Sequence, residues 1–286
     1  LDIQGLDFTL VTSIKNNNSP YKVKKIYTKK LLIILCFLGL DKVYFKRIGI
    51  SVIHDLDFSV PFNLSNTITT LHDLYPEITK GRTGALNYCV RSKIFRNSLV
   101  GKSTLICVSH STAEDARELN LGNHRVIANY IPVERMNIIP SQNTRKGVII
   151  LGRQEHRKNL VSAILAYSFL PKRIRDQHPL HIIGPTGNAR LEHFVNGQYI
   201  KDASNIFFHG YIDEIELNEF MMTSKTLLMP SICEGYGYPV YEAIINGLNV
   251  VSSIDLEITG PNNFTCVYND IESISNQLKM ALTSSV

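Results

Sequence analysis

The sequence predicts an α/β protein built on doubly wound parallel sheets, and three observations carry that expectation. Short apolar runs such as Thr226 to Met229 and Asn249 to Ser252 lack the polar alternation of a half-exposed strand. That is the pattern of parallel strands covered on both faces. Strand-like runs then alternate with helical patterns through the second half, the rhythm of a doubly wound sheet. Glycines and a proline, finally, mark the junctions where one element should give way to the next.

The stretch from Thr226 to Ser252 organises the chain. It reads as a buried strand, a loop holding Glu234, Gly235 and Gly237, a helix, and a second strand. Pro239 falls where a first helical turn begins, and Gly247 where a C-terminal cap is expected. A loop at the carboxyl end of a strand, facing a helix N-terminus, is where an open α/β sheet binds anions. Glu234 in the loop and Glu242 one turn into the helix frame that position. Ionised carboxylates are pure acceptors, so a ligand that carries hydroxyls beside its phosphates suits them. A sugar and a ribose meet that requirement.

In order along the chain, strands are expected within Ile50 to Phe62 and Asn66 to Pro76, each bringing a histidine, His54 and His72, to a loop. A helix is expected over Thr83 to Val100 and a strand over Ser103 to Ser109. Ser111 or Thr112 should cap the next helix, with Glu114 and Asp115 in its first turn. After a strand at Arg125 to Ala128, the polar stretch Ser141 to Lys146 reads as an interdomain linker. Further strands are expected at Gly147 to Leu151, Leu180 to Ile183, Asn205 to His209 and Phe264 to Val267. No G-x-G-x-x-G follows the first of these, which disfavours a nicotinamide dinucleotide site. Gly101-Lys102-Ser103-Thr104 is not a P-loop, because Arg96 stands where its first glycine belongs and a strand follows.

The pattern P-S-x-x-E-G-Y-G-x-P-x-x-E-A, Pro230 to Ala243, with seven residues between Glu234 and Glu242, resembles the E-x7-E signature of family 4 retaining glycosyltransferases. That resemblance implies the GT-B architecture, two Rossmann-like doubly wound domains facing a cleft. Residues 1–140 would form the acceptor-side domain, incomplete here, and residues 147–286 the donor-binding domain. Leu151 to Asn159 matches the family loop that grips the donor diphosphate, with Arg153 and Lys158 in the gripping positions and Arg157 as the alternative. A guanidinium and an ammonium there can neutralise the charge on the leaving group. His72, in the string HDLYP, matches a histidine that lines the cleft and contacts the donor sugar. Glu242 would hold the ribose, and Glu234 with Gly235, Tyr236 and Gly237 the sugar and phosphate. Gly184 to Gly187 and His209 to Ile212 resemble loops near the donor, the second being where the base packs.

The resemblance further implies transfer from a nucleotide-sugar substrate to a glycan or lipid-linked acceptor, with no cofactor, metal or enzymic nucleophile. Family habit places such chemistry in surface polysaccharide or glycolipid assembly, in the cytoplasm or at the inner membrane face with a peripheral contact; the basic run Lys22 to Lys30 reads first as a solvated face, with lipid-headgroup attraction as the alternative. A silent sugar-nucleotide-binding domain and a related phosphorylase or epimerase remain open alternatives. Nothing from Leu1 to Lys30 matches the family's glycine-rich acceptor loop, so the chain reads as trimmed at both ends or as a reduced member.

Composition agrees with that class. A hydrophobic fraction of 44% over 286 residues can bury a core. Net charge of +5 suits anionic ligands without calling for nucleic acid. Five scattered cysteines with no C-x-x-C pair argue against a disulfide or metal framework and for a reducing compartment. The apolar run Leu31 to Leu40 is too short to span a bilayer and reads as buried secondary structure.

Overall fold

The computed structural model describes residues 9–12, 22–25, 34, 35, 38, 40–47, 49, 53–55, 67–74, 103–129, 145–152, 155–185, 195, 200, 202–254 and 260–284. The chain divides into two compact units, Leu1–Ile127 and Ala128–Val286. Elements are numbered below in chain order among the described residues, where no helix is long and apolar enough to cross a membrane.

In the first unit β1 (Thr9–Thr12) pairs in parallel with β2 (Lys22–Lys25). Helix α1 (Asp41–Arg47) follows. A separate all-parallel sheet then runs in the order of the chain, β3 (Ile53–Asp55), β4 (Thr67–Leu71), β5 (Ser103–Cys107) and β6 (His124–Val126). Helix α2 (His110–Glu118) packs on it, closing a core of Leu71, Leu74, Leu105, Cys107, Ala113, Ala116 and Leu121. Three expectations change here. The N-cap is Ser109, whose extended backbone lets its Oγ accept from Thr112 N at 3.1 Å, rather than Ser111 or Thr112. Glu114 and Asp115 therefore lie beyond the first turn. Of the described residues in the run Leu31 to Leu40, Ile34, Leu38 and Leu40 are exposed and Leu35 is half-buried. The helix expected over Thr83 to Val100 lies outside the described residues.

The second unit holds a six-stranded parallel sheet. Its strands are β7 (Val148–Leu151), β8 (Leu180–Ile183), β9 (Ile206–Gly210), β10 (Thr226–Met229), β11 (Asn249–Ser252) and β12 (Asn263–Thr265). They lie in the order β12-β11-β10-β7-β8-β9. Numbered within the unit this is the Rossmann order, and the winding reverses between β7 and β10, the position where such sheets bind ligands. Every residue of β7, β10 and β11 is buried, as the missing alternation predicts. Neighbouring residues of one strand feed opposite cores. Val148, Ile150, Leu228 and Val251 meet helices α3 (Leu160–Ser168) and α7 (Ile271–Thr283) on one face. Ile149, Leu151, Leu227, Met229 and Val250 meet α5 (Glu214–Thr223) and α6 (Tyr238–Ile245) on the other. The short helix α4 (Lys172–Gln177) joins α3 to β8. At roughly 25 cal/mol per Å² of apolar surface buried, these two layers dominate the unit's stability.

Helix α6 ends as the sequence predicts. Gly247 takes φ +76°, Gly247 N–H donates to Ile244 O and Leu248 N–H to Ala243 O, both at 2.9 Å, which is a Schellman closure. The polar stretch expected as a linker is partly structural. Residues 141–144 lie outside the description, but Arg145 is buried in the second unit. Its guanidinium donates to Met221 O at 2.9 Å, Ser224 O at 3.1 Å and Asn246 O at 2.7 Å. One side chain thereby satisfies carbonyls at the ends of two helices that would otherwise be orphaned.

His178, just after α4, accepts the Gly147 N–H on its Nδ1 at 3.2 Å, which requires the neutral imidazole. Burial, followed by the charges of Lys225 and Lys146, pushes it down to about 4 from the usual 6.5. Above pH 6.5 both folded and unfolded chains are neutral at this group; between 6.5 and 4 only the unfolded chain takes the proton. Stability is therefore lost as pH falls through that window. Melting curves should show the wild type losing Tm from pH 6.5 to 4 more steeply than His178→Asn; parallel losses would remove His178 as the cause.

Candidate functional site

The reversal of strand order brings two loops together that are far apart in sequence. The loop leaving β7 turns through a short 3-10 segment, His156–Lys158, and enters α3 at Asn159. The loop leaving β10 carries Ser231 and Glu234 and enters α6 at Gly237. Lys158 Nζ lies 2.6 Å from Glu234 Oε1, and Arg157 NH1 lies 2.6 Å from Glu234 Oε2. Ser231 Oγ donates to Glu234 Oε1 at 2.9 Å. Arg157 Nε bonds Glu155 at 2.8 Å, so one guanidinium joins two carboxylates. The side chains of Lys158 and Glu234 are only 9% and 7% exposed, which makes each charge dependent on the other. Burial works against the charge on Arg157, but Glu234 and then Glu155 outweigh it and hold its pKa above the usual arginine value.

Backbone contacts hold this cluster in register. Ile232 N–H donates to Arg157 O at 2.7 Å. Asn159 Nδ2 donates to Pro230 O at 3.0 Å and to Tyr268 O at 2.7 Å, fastening the loops after β10 and β12 to the start of α3. Glycines admit the lysine. A Cβ on Gly152 would lie 3.2 Å from Lys158 Cε, and one on Gly184 would lie 2.4 Å from Gly152 O. Gly184, at φ +128°, also donates its N–H to Gly210 O at 2.7 Å. The ends of β7, β8 and β9 thus nest against one another, with the Lys158 stem lying over the innermost turn.

The other expected residues fall as follows. Gly235 and Tyr236 are partly buried in the β10 loop and Gly237 is buried at its end. The Tyr236 ring stacks on Tyr241 at 4.7 Å and meets Tyr238 edge-on at 5.0 Å. Glu242 sits partly buried on α6. His72, exposed, follows β4 in the first unit, while His54 in β3 bonds Thr70 Oγ1 at 2.9 Å. Arg153 lies outside the described residues, as do Thr186 and Gly187. Tyr211, after β9, is 75% exposed. The role of Asn159 and the double engagement of Arg157 escape a sequence reading. Glu155 is only two residues from Arg157, but the other partners, the Glu234 carboxylate and two carbonyls, lie 71 to 109 residues away, which no local spacing encodes.

Residues 134–284, just over half of the chain, match the family model of glycosyl transferases group 1. The chain belongs to this family. It is 27% identical over 255 residues to O-antigen chain mannosyltransferase B of Escherichia coli, an alignment that takes in 81% of this chain and 65% of that one. The chain thus spans slightly less than two thirds of that relative. Among solved structures it superposes on sucrose-phosphate synthase of Thermosynechococcus elongatus with a TM-score of 0.72 at 17% identity, covering 98% of this chain and 81% of the synthase. It superposes similarly on WaaG, a glycosyltransferase involved in lipopolysaccharide biosynthesis, with a TM-score of 0.71 at 15% identity, covering 98% and 83%. At such identities the likeness is one of fold, and the group 1 fold is the α/β GT-B fold of Rossmann-like sheets.

Two outcomes test the site's construction. Glu234→Ala leaves Lys158 buried without its anion and Arg157 with Glu155 alone, and should cost about 3 kcal/mol in denaturant unfolding, at unchanged slope. Gly184→Ala drives a Cβ into the Gly152 carbonyl and should destabilise by at least about 2 kcal/mol. A wild-type midpoint for either variant would show that the packing around Lys158 is not as described.

Proposed function

We propose that the chain carries the donor site of a retaining glycosyltransferase, moving a sugar from a nucleotide-diphosphate sugar to an acceptor hydroxyl. The observation that supports this reading best is the Lys158–Glu234 pair at the point where the sheet reverses its winding, 2.6 Å apart. It sets an ammonium beside a carboxylate where α/β sheets bind their ligands. A diphosphate needs the first and a hydroxyl-bearing sugar the second.

In this reading Lys158, with Arg153, neutralises the departing diphosphate, and Glu242 accepts from the ribose hydroxyls. Glu234, with Gly235, Tyr236 and Gly237, positions the sugar. By the family resemblance, His72 is also assigned a contact with the donor sugar. The bond from the anomeric carbon to the diphosphate breaks, and the acceptor oxygen bonds that carbon on the same face. The acceptor proton passes to a phosphate oxygen. No enzymic nucleophile is needed, and Glu234, already engaged by two cations and a hydroxyl, is better placed to orient than to attack. The cationic groups supply the charge that a metal would otherwise bring. The mannosyltransferase relative favours a mannosyl donor and a surface polysaccharide acceptor. Family habit, not this relative, adds to the proposal a place of action in the cytoplasm or at the inner membrane face, there with a peripheral membrane contact.

Isothermal titration with UDP, GDP and ADP tests the reading. One nucleotide should bind, at least about tenfold more weakly to Lys158→Ala, Arg153→Ala and Glu242→Ala. A cooperatively melting wild-type chain that binds none of the three would overturn it.

A further inference from the structure

If Lys158 serves the donor diphosphate, it has to leave Glu234, and the carboxylate it leaves is buried. An unpaired charge in such a place is strongly unfavourable, so a second cation must stay behind. Arg157 meets that need. Its NH1 holds the opposite carboxylate oxygen at 2.6 Å while its Nε is anchored on Glu155 at 2.8 Å. Its own carbonyl accepts the Ile232 N–H, which fixes its backbone against the loop that carries Glu234. Lys158, by contrast, has a flexible stem lying over Gly152, and its ammonium bonds no other acceptor than Glu234 among the described residues.

We propose that Arg157 is a positioning residue, the permanent counter-ion of Glu234, while Lys158 is the exchangeable one that passes from Glu234 to the donor diphosphate. This rests on the donor reading above. Glu234 then takes the place of the diphosphate charge beside Lys158 until donor binds. When donor binds, Arg157 and Ser231 retain the carboxylate and hold it toward the sugar. The sequence marks Arg157 only as an alternative to its neighbours in gripping phosphate; the geometry turns its guanidinium to the carboxylate.

A nucleoside diphosphate without a sugar reads this exchange, since it engages Lys158 and asks nothing of Glu234. The probe is whichever of UDP or GDP the wild type binds, and inorganic pyrophosphate provides a second. Arg157→Gln should weaken binding at least about tenfold, because Lys158 is then the last cation on a buried carboxylate. Glu234→Gln added to Arg157→Gln should restore binding to within about threefold of wild type, since no anion detains Lys158. Arg157→Lys, which keeps the charge but cannot join both carboxylates, should lose less and be rescued by the same second change. That variant also serves if Arg157→Gln melts below the assay temperature. Equal weakness in the single and double variants would make Arg157 a phosphate ligand or a purely structural residue and overturn the proposal. Unchanged binding by Arg157→Gln would overturn it too. A wild type that binds neither nucleotide nor pyrophosphate removes the donor reading and this exchange together.

Discussion

The Glu234 carboxylate lies between the Lys158 ammonium and the part-buried Arg157 guanidinium, and a buried ion pair with a third charge beside it is tolerated only when geometry is held closely. Much of the second unit bears on that requirement. The pairing of β10 with β7 sets the two loops side by side. Asn159 ties three loops at one point, and the Ile232–Arg157 backbone bond sets the height of one loop against the other. Each of these contacts is modest alone, of order 1 kcal/mol for a hydrogen bond. Their combined effect is to fix where the charges meet.

Much of this architecture was legible in the sequence because it depends on local pattern. Unbroken apolar runs marked β7, β10 and β11 as strands covered on both faces, and Gly247 marked the end of α6. Glu234 and Lys158 could be singled out because each sits in a motif at a loop where strands end. What stayed hidden depends on partners distant in sequence. Arg145 reads as one more charge in a polar stretch until Met221, Ser224 and Asn246 are seen to present their carbonyls to it. The capping of α2 shows a finer limit. Ser109, Ser111 and Thr112 are all chemically able to cap, and the choice falls to the extended backbone at Ser109 as β5 ends. The exposure of Ile34 and Leu38 has a similar origin, since an apolar run states a preference for burial but not whether a neighbour covers it.

The group 1 family model and an O-antigen chain mannosyltransferase of Escherichia coli both align with the part of the chain that holds the charged cluster. The family match spans nearly all of the second unit, where the charged cluster lies, and the solved structures share the α/β fold. Identity near 15% with those structures shows how little sequence the fold itself demands. What it does demand is visible in the close approach of Gly184 to Gly152, where a side chain cannot be accommodated.

The sharing of β7, β10 and β11 between two cores has a consequence for cooperativity. Successive residues in each strand belong to opposite layers, so neither layer can come apart while the other remains packed. Partial opening at the strand ends would have to break both, and the loops with Lys158 and Glu234 grow directly from those ends. The described residues of the charged cluster are thereby tied to strand ends that both layers hold.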